Sequence, residues 1–301
     1  MNCIICGKNE FKLKGKPIYE PKLKESLADK NFKVVSCRNC GLVQLIPDAN
    51  EILEQIKNFY EGNYFSENLT EWWENKRSQD RNERLKYLNR FTSAKITRFL
   101  DIGCGTGDVL NTAAGAFSSV HGQDIFDNVD ATKLKIPKSN IFIGMLDDAG
   151  YKDNEFEGIY LDSVLEHVVN PVEFLMEIKR ILSPGGCLYI GVPNEYSVDG
   201  FFKKLIFKCL YPGVSSVIDP FRNPYHVIGF SKKSLRVLCG KCGLKIIYLQ
   251  TIGGTYEFRK HSVKSFAFWK TLIFWPFYVI GVLFNNAFYI EAYIQKFEAG
   301  F

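Results

Sequence analysis

Phe99-Leu100-Asp101-Ile102-Gly103-Cys104-Gly105-Thr106-Gly107 decides the fold of this chain. A short apolar strand runs into a turn with three alternating glycines, and a helix-like segment, Asp108 to Phe117, follows directly. Glycines in such a turn let the backbone approach a ligand that side chains would exclude. A pyrophosphate-binding turn would carry its third glycine three positions after Gly105, as G-x-G-x-x-G. Here that position is Asp108, and the third glycine comes one residue early. An acid at the head of the turn, without the pyrophosphate spacing, suits a nucleoside that carries an amino-acid arm. S-adenosylmethionine (SAM) is such a molecule.

Working outward, Ser119-Val120-His121-Gly122-Gln123-Asp124 reads as the next strand and ends in a carboxylate. An acid about 20 residues past a nucleotide loop typically takes up ribose hydroxyls. A glycine-rich turn alone is weak, but strand, turn, helix, strand and terminal acid in that order are specific. Further strands are expected at Asn140–Gly144, Glu157–Asp162 and Cys187–Val192, alternating with helices, which is the mark of a parallel sheet. Ser183-Pro184-Gly185-Gly186 reads as the stop of a helix before the fifth of these strands. Leu244 to Gln250 suits a sixth strand, and Ala287 to Ile294 a seventh, antiparallel one. Ala49 to Tyr60 and the charged stretch Glu71 to Phe91, with Trp72 and Trp73 near its start, read as helices covering the mouth of the SAM pocket.

At the N-terminus, Cys3-x-x-Cys6 and Cys37-x-x-Cys40 are each followed by glycine, at Gly7 and Gly41. Two such knuckles converge to complete a tetrahedron of sulfurs around zinc. Four sulfurs leave no open position, so this metal is expected to be structural. Cys239-x-x-Cys242 has no partner pair and reads as two packing thiols on a helix. Nine cysteines, with a start that lacks the basic and apolar regions of an export signal, point to reduced thiols and a cytoplasmic protein.

The pattern continues through Ile141–Asp148, Phe156–Ile159, Leu165-Glu166-His167-Val168-Val169-Asn170-Pro171, Ile181–Gly186, Val192-Pro193-Asn194, Pro224-Tyr225-His226 and Phe230–Leu244. With these residues the chain resembles the class I SAM-dependent methyltransferases, in the branch that carries an N-terminal zinc ribbon and often serves sugar or surface-glycan pathways. The resemblance implies an α/β, Rossmann-like seven-stranded sheet with a small N-terminal zinc ribbon. It implies SAM held by Asp101, Gly103, Cys104, Gly105, Thr106, Gly107, Asp124, Ile125, Met145, Leu146 and Asp162, and zinc held by Cys3, Cys6, Cys37 and Cys40. Met145 stands where relatives often place a small polar or acidic residue, and Glu157 replaces a common aspartate. The expected division is a ribbon over 1–48, a helical cover over 49–97 and the catalytic domain over 98–301. That domain includes a lid over 193–230 and an apolar helical insertion over 256–284.

Methyl transfer requires an acceptor held in line and, for a hydroxyl, a group that takes its proton. His226 in the lid segment is the first candidate, His167 the second, and Glu195 a further one; His121 and His261 read as structural and surface residues. The expected acceptor is a small or carrier-linked hydroxylated molecule, most simply a sugar. An RNA methyltransferase would use Lys8, Lys12, Lys14, Lys16, Lys22 and Lys24 on phosphates, but only Phe11 and Tyr19 lie among them for base stacking, and the uncharged aromatic insertion suits RNA poorly. The formal charge of +5 permits an anionic acceptor without demanding nucleic acid. A non-catalytic SAM- and zinc-binding assembly module is the remaining alternative. Thr271 to Ile290 has no formal charge over 20 residues, interrupted by Pro276 and Asn285-Asn286. A membrane crossing there would split one sheet across the bilayer. Residues 265–284 are therefore expected to pack on the domain, on a second copy in a homo-oligomer, or on a membrane surface.

Overall fold

The computed structural model of the chain describes residues 2–15, 33–46, 71–93, 95–129, 132–210, 226–253 and 262–297. The expected helix over 49–60, residues 211–225 of the lid and the start of the apolar insertion, 256–261, lie outside them. In chain order the elements are strands β1 (Phe11–Gly15), β2 (Lys33–Cys37) and β3 (Val43–Ile46), helix α1 (Glu71–Phe91), β4 (Arg98–Ile102), α2 (Asp108–Ala113), β5 (Ser119–Asp124), β6 (Ile141–Ile143) and β7 (Phe156–Asp162). They continue as α3 (Pro171–Ile181), β8 (Leu182–Pro193), α4 (Val198–Leu210), β9 (Ile228–Gly229), α5 (Lys232–Lys241), β10 (Leu244–Ile252), α6 (Phe266–Leu283) and β11 (Tyr289–Lys296).

The large sheet is mixed and seven-stranded, in the order β10-β11-β8-β7-β4-β5-β6. Strands β4, β5, β6 and β7 pair in parallel, with Asp101 level with Gly122 on one side and with Tyr160 on the other. This order places the ends of β7, β4 and β5 next to one another, and the site depends on that. Strand β8 begins at Leu182 rather than Cys187, so Pro184-Gly185-Gly186 lies within the strand instead of closing a helix. Leu182 itself follows α3 without a gap.

The chain clusters into two units. One comprises Asn50–Ile190, Leu238–Tyr248 and Ala292–Phe301. Its core gathers Phe99, Leu110, Val120, Tyr160, Tyr189 and Tyr293, each almost fully removed from water. Helix α1 is strongly polar, yet Leu85 and Leu88 enter that core. Tyr87 and Phe91 on the same helix stack on Tyr248, at 5.9 and 5.3 Å between ring centroids. A few large apolar anchors therefore hold a helix whose composition gives little sign of an apolar face.

The other unit comprises Met1–Ala49, Gly191–Val237 and Leu249–Glu291. Its small sheet runs β1-β2-β3-β9, with antiparallel pairs throughout. The fourth strand, β9, is two residues long and comes from the far end of the sequence, pairing Val43 with Gly229 and Gln44 with Ile228. Helices α4 and α6 also belong to this unit, and Phe202 stacks on Phe277 at 3.8 Å between them.

Candidate active site

The turn after β4 is built on backbone conformations that L side chains avoid: φ is 73° at Gly103, 51° at Gly105 and 86° at Gly107. At Gly103 a Cβ would also lie 2.3 Å from Val164 Cγ2, so both conformation and space require glycine. Gly107 opens α2 from the left-handed region.

Three carboxylates stand at this end of the sheet. Asp124, at the end of β5, accepts the backbone N–H of Gly105 at 2.7 Å on Oδ2 and that of Phe126 at 3.0 Å on Oδ1. Burial pushes its carboxyl up, against the pull of these N–H groups and that of Ile125. Asp162, at the end of β7, accepts from Arg84 Nη1 at 2.8 Å and from the Tyr160 hydroxyl at 3.3 Å. Asp101, on β4 between them, is 3% exposed, and its Oδ2 is buried without a hydrogen-bond partner among the described residues. Burial, reinforced by Asp162 and Asp124, raises its carboxyl well above the usual range. An orphaned buried carboxylate oxygen is costly, and a cationic ligand group bound there would remove the cost.

The remaining candidates on this unit fall into two sets. Cys104 and Leu146 are buried, whereas Ile125 and Met145 are exposed just past the ends of the neighbouring strands β5 and β6. Gly144 between these strands is fixed by its N–H to Asp124 and by Gln123 Nε2, which donates to its carbonyl at 2.6 Å. Thr106 is exposed in the turn. His167 closes a single helical turn after β7 and is half-buried, while its neighbour Glu166 is 2% exposed. Burial pushes the Glu166 carboxyl up to about 8, and its Oε2 has no partner among the described residues.

Glu157 is not part of this site. It lies near the start of β7, where Oε2 accepts from Thr97 N, Thr97 Oγ1 and Arg98 N at 2.7–3.1 Å. It closes the entry of β4, so its departure from the family's aspartate has no bearing on a nucleoside at the opposite strand ends. His121 bonds Ser119 Oγ at 2.8 Å within β5, as a structural histidine does. Cys239 and Cys242 are buried, the latter donating to the Val172 carbonyl, as packing thiols do.

Sequence reading missed Arg84 and Arg81. Arg84 is the cation that answers Asp162, and Arg81 lies 3.8 Å from Asp108. Their one sequence signal is a pair of arginines three apart on α1, which alone names no partner.

On the other unit, Cys3 and Cys6 sit in one knuckle and Cys37 and Cys40 in a second. Each closes through a glycine N–H, Gly7 to Cys3 O and Gly41 to Cys37 O, both at 2.9 Å. Their sulfurs approach in pairs, Cys3 to Cys40 at 3.6 Å and Cys6 to Cys37 at 3.5 Å, and all four lie within 4.8 Å of one another. A zinc tetrahedron with bonds of about 2.3 Å has edges of about 3.8 Å, so the donor set fits that ion. Hydrogen bonding from Cys40 draws the Cys3 thiol down to about 5 and pushes that of Cys40 up, as expected for a pair that shares one proton.

Glu195 follows β8 and is buried, its carboxylate paired with Lys204 Nζ at 3.0 Å. Lys14 of β1 lies 5.2 Å over the ring of the adjacent Tyr196. His226 is half-buried and lies two residues before β9. Pro224 and Tyr225 lie outside the described residues.

Comparison with known proteins agrees with this geometry. The family described as a methyltransferase domain matches residues 100–190. A ubiquinone biosynthesis O-methyltransferase of Thiobacillus denitrificans is 25% identical over 44% of this chain and 61% of its own length. A ubiquinone/menaquinone biosynthesis C-methyltransferase of Geotalea daltonii is 32% identical over 44% of this chain and 58% of its own. The chain thus spans less than two thirds of either relative. Among solved structures, a chain from the complex of the Haloferax volcanii Trm112 methyltransferase activator with a methyltransferase superposes with a TM-score of 0.50. It is 14% identical, covers 75% of this chain and 94% of its own length, and shares the fold. Residues 100–190, which hold the glycine turn and the carboxylates at adjoining strand ends, are the part of this chain that matches the methyltransferase-domain family.

Proposed function

We propose that this chain transfers a methyl group from SAM to a hydroxyl of a small or carrier-linked acceptor. The observation that carries this reading is the orphaned buried oxygen of Asp101, flanked by Asp124 and Asp162 beside a turn whose glycines hold backbone conformations that L side chains avoid. SAM, when bound, supplies an electrophilic methyl on a sulfonium. Asp101 would hold its amino-acid arm and Asp124 its ribose hydroxyls, while Ile125, Met145 and Leu146 offer apolar surface to the adenine. Gly103, Cys104, Gly105, Thr106 and Gly107 would let the backbone close on the ligand, and Asp162 with Arg84 would set the charge beneath it. For a hydroxyl acceptor, His226 is assigned the proton, ahead of His167 and Glu195. The carboxylate of Glu195 is already engaged by Lys204.

The assignment of the acceptor as a sugar in glycan assembly rests on the family resemblance. A quinone precursor is the second reading, supported by the names of the relatives above. Zinc on Cys3, Cys6, Cys37 and Cys40 is assigned a structural role, because the four sulfurs would fill its coordination sphere. The test is calorimetric binding of SAM, followed by transfer of labelled methyl onto nucleotide sugars, lipid-linked sugars, phenolic quinone precursors and RNA. Label on a sugar supports the first reading and label on a phenol the second. Failure to bind SAM overturns both.

A further inference from the structure

Helix α6 is inside out. Trp269, Leu272, Ile273, Pro276, Ile280 and Leu283 recur at helical spacing, and all six face solvent. Leu283 is 76% exposed, Ile273 57% and Trp269 53%. The face turned inward instead carries the small residues Thr271 and Gly281, both buried, with Phe274, Phe277 and Tyr278 only half-buried. Phe277 meets Phe202 of α4, and Tyr278 lies against Gly253. Helix α4 adds Phe201 and Leu205 to the exposed apolar surface, at 61% and 47%. A soluble surface helix arranges its residues the other way round, and apolar exposure on this scale marks an interaction surface.

The charge around this surface selects its occupant. Residues 198–210 and 262–284 together hold five lysines, Lys203, Lys204, Lys208, Lys264 and Lys270, and a single acid, Asp199. That acid is taken by Lys203 at 3.2 Å and Lys204 is taken by Glu195 at 3.0 Å, so five lysines against two acids leave a formal charge of +3 here. A second copy of the chain, docked face to face across a twofold axis, would set this net positive charge against itself. An anionic lipid surface would balance that charge. Trp269 Nε1 donates to the Val263 carbonyl at 2.9 Å, so its ring offers an apolar face with the polar edge already satisfied. No helix among the described residues is long and apolar enough to cross a membrane, so α6 would lie in the plane of the interface.

We propose that the outward face of α6, with Phe201 and Leu205 of α4, is a peripheral binding surface for an anionic lipid bilayer. This stands independently of the acceptor assignment. The test is co-sedimentation of the full chain with vesicles of phosphatidylcholine alone, or with about one third phosphatidylglycerol. The chain should pellet with the anionic vesicles and release partly at high salt. Ile273→Asp combined with Leu283→Asp should lower partitioning at least about tenfold. Both positions are exposed, so circular dichroism and SAM affinity should match the parent. Lys264→Glu should narrow the preference for anionic over neutral vesicles. Binding to neither vesicle, or unchanged binding by the double variant, overturns the proposal. So does light scattering that shows a dimer which the double variant splits, since the face would then belong to a second copy.

Discussion

The Oδ2 of Asp124 holds the backbone N–H of Gly105 at 2.7 Å, which ties the end of β5 to the middle of the turn after β4. The acid read from the sequence as a ribose ligand is thus also a brace for the glycine turn. Each carboxylate oxygen keeps a second lone pair, so the two roles are compatible. Asp124→Ala should weaken SAM binding by roughly 1–3 kcal/mol, because it removes a ligand contact and strands a buried N–H. Calorimetry on the folded variant checks this, and unchanged affinity would remove Asp124 from the binding set.

Arg84 supplies the positive charge for Asp162 from a helix far away in sequence. Arg84→Ala leaves the Asp101, Asp124 and Asp162 cluster without that charge. The expected loss is roughly 2–3 kcal/mol, below the value for a fully buried pair because Asp162 keeps some solvent contact. Urea unfolding measures it, and Arg84→Lys should restore part of the loss.

Glu166 gives a pH signature. Its folded carboxyl is raised by burial to about 8 from an ordinary 4.5, so the folded state retains a proton that the unfolded chain releases. Its contribution is fully present below about 4.5 and is lost as pH rises toward 8. Glu166→Gln keeps the shape and removes the titration. Relative to the parent, this variant should gain more than about 1 kcal/mol between pH 5 and pH 8. Unfolding midpoints across that range read the effect, and parallel curves for the two proteins would contradict it.

The ribbon should carry one zinc per chain by elemental analysis of protein prepared without chelators. Cys37→Ser should lower its thermal stability and metal content together, with little change in SAM affinity. Protein free of zinc, or zinc with an exchangeable water, would contradict a closed structural site.

For a hydroxyl acceptor, His226→Ala should cut turnover by about 100-fold and abolish the acidic limb of the pH–rate profile. SAM affinity should be unchanged. Wild-type turnover with the same limb would transfer the role to His167 or Glu195.

Much of this was legible locally. The turn, its flanking strand and Asp124 lie within 26 residues, and the two cysteine knuckles are each self-contained. Arg84 was not legible, because its partner is chosen by β7 lying beside β4, a relation that no window on α1 contains. Glu157 shows that a motif records sequence order and not the end of the strand a residue occupies. Strand β9 is too short to carry an alternation. In α6 nearly every residue is apolar, so the sequence could not say which side would face water.

The pairing of β9 with β3 has a mechanical consequence. Strand β3 lies against β2, and β2 ends at Cys37, so the segment that leads out of His226 hangs from the metal knuckles through two rows of backbone hydrogen bonds. If the four sulfurs hold zinc, a cell short of that metal would slacken the suspension of β9, while the parallel pairing of β4, β5, β6 and β7 would stay intact.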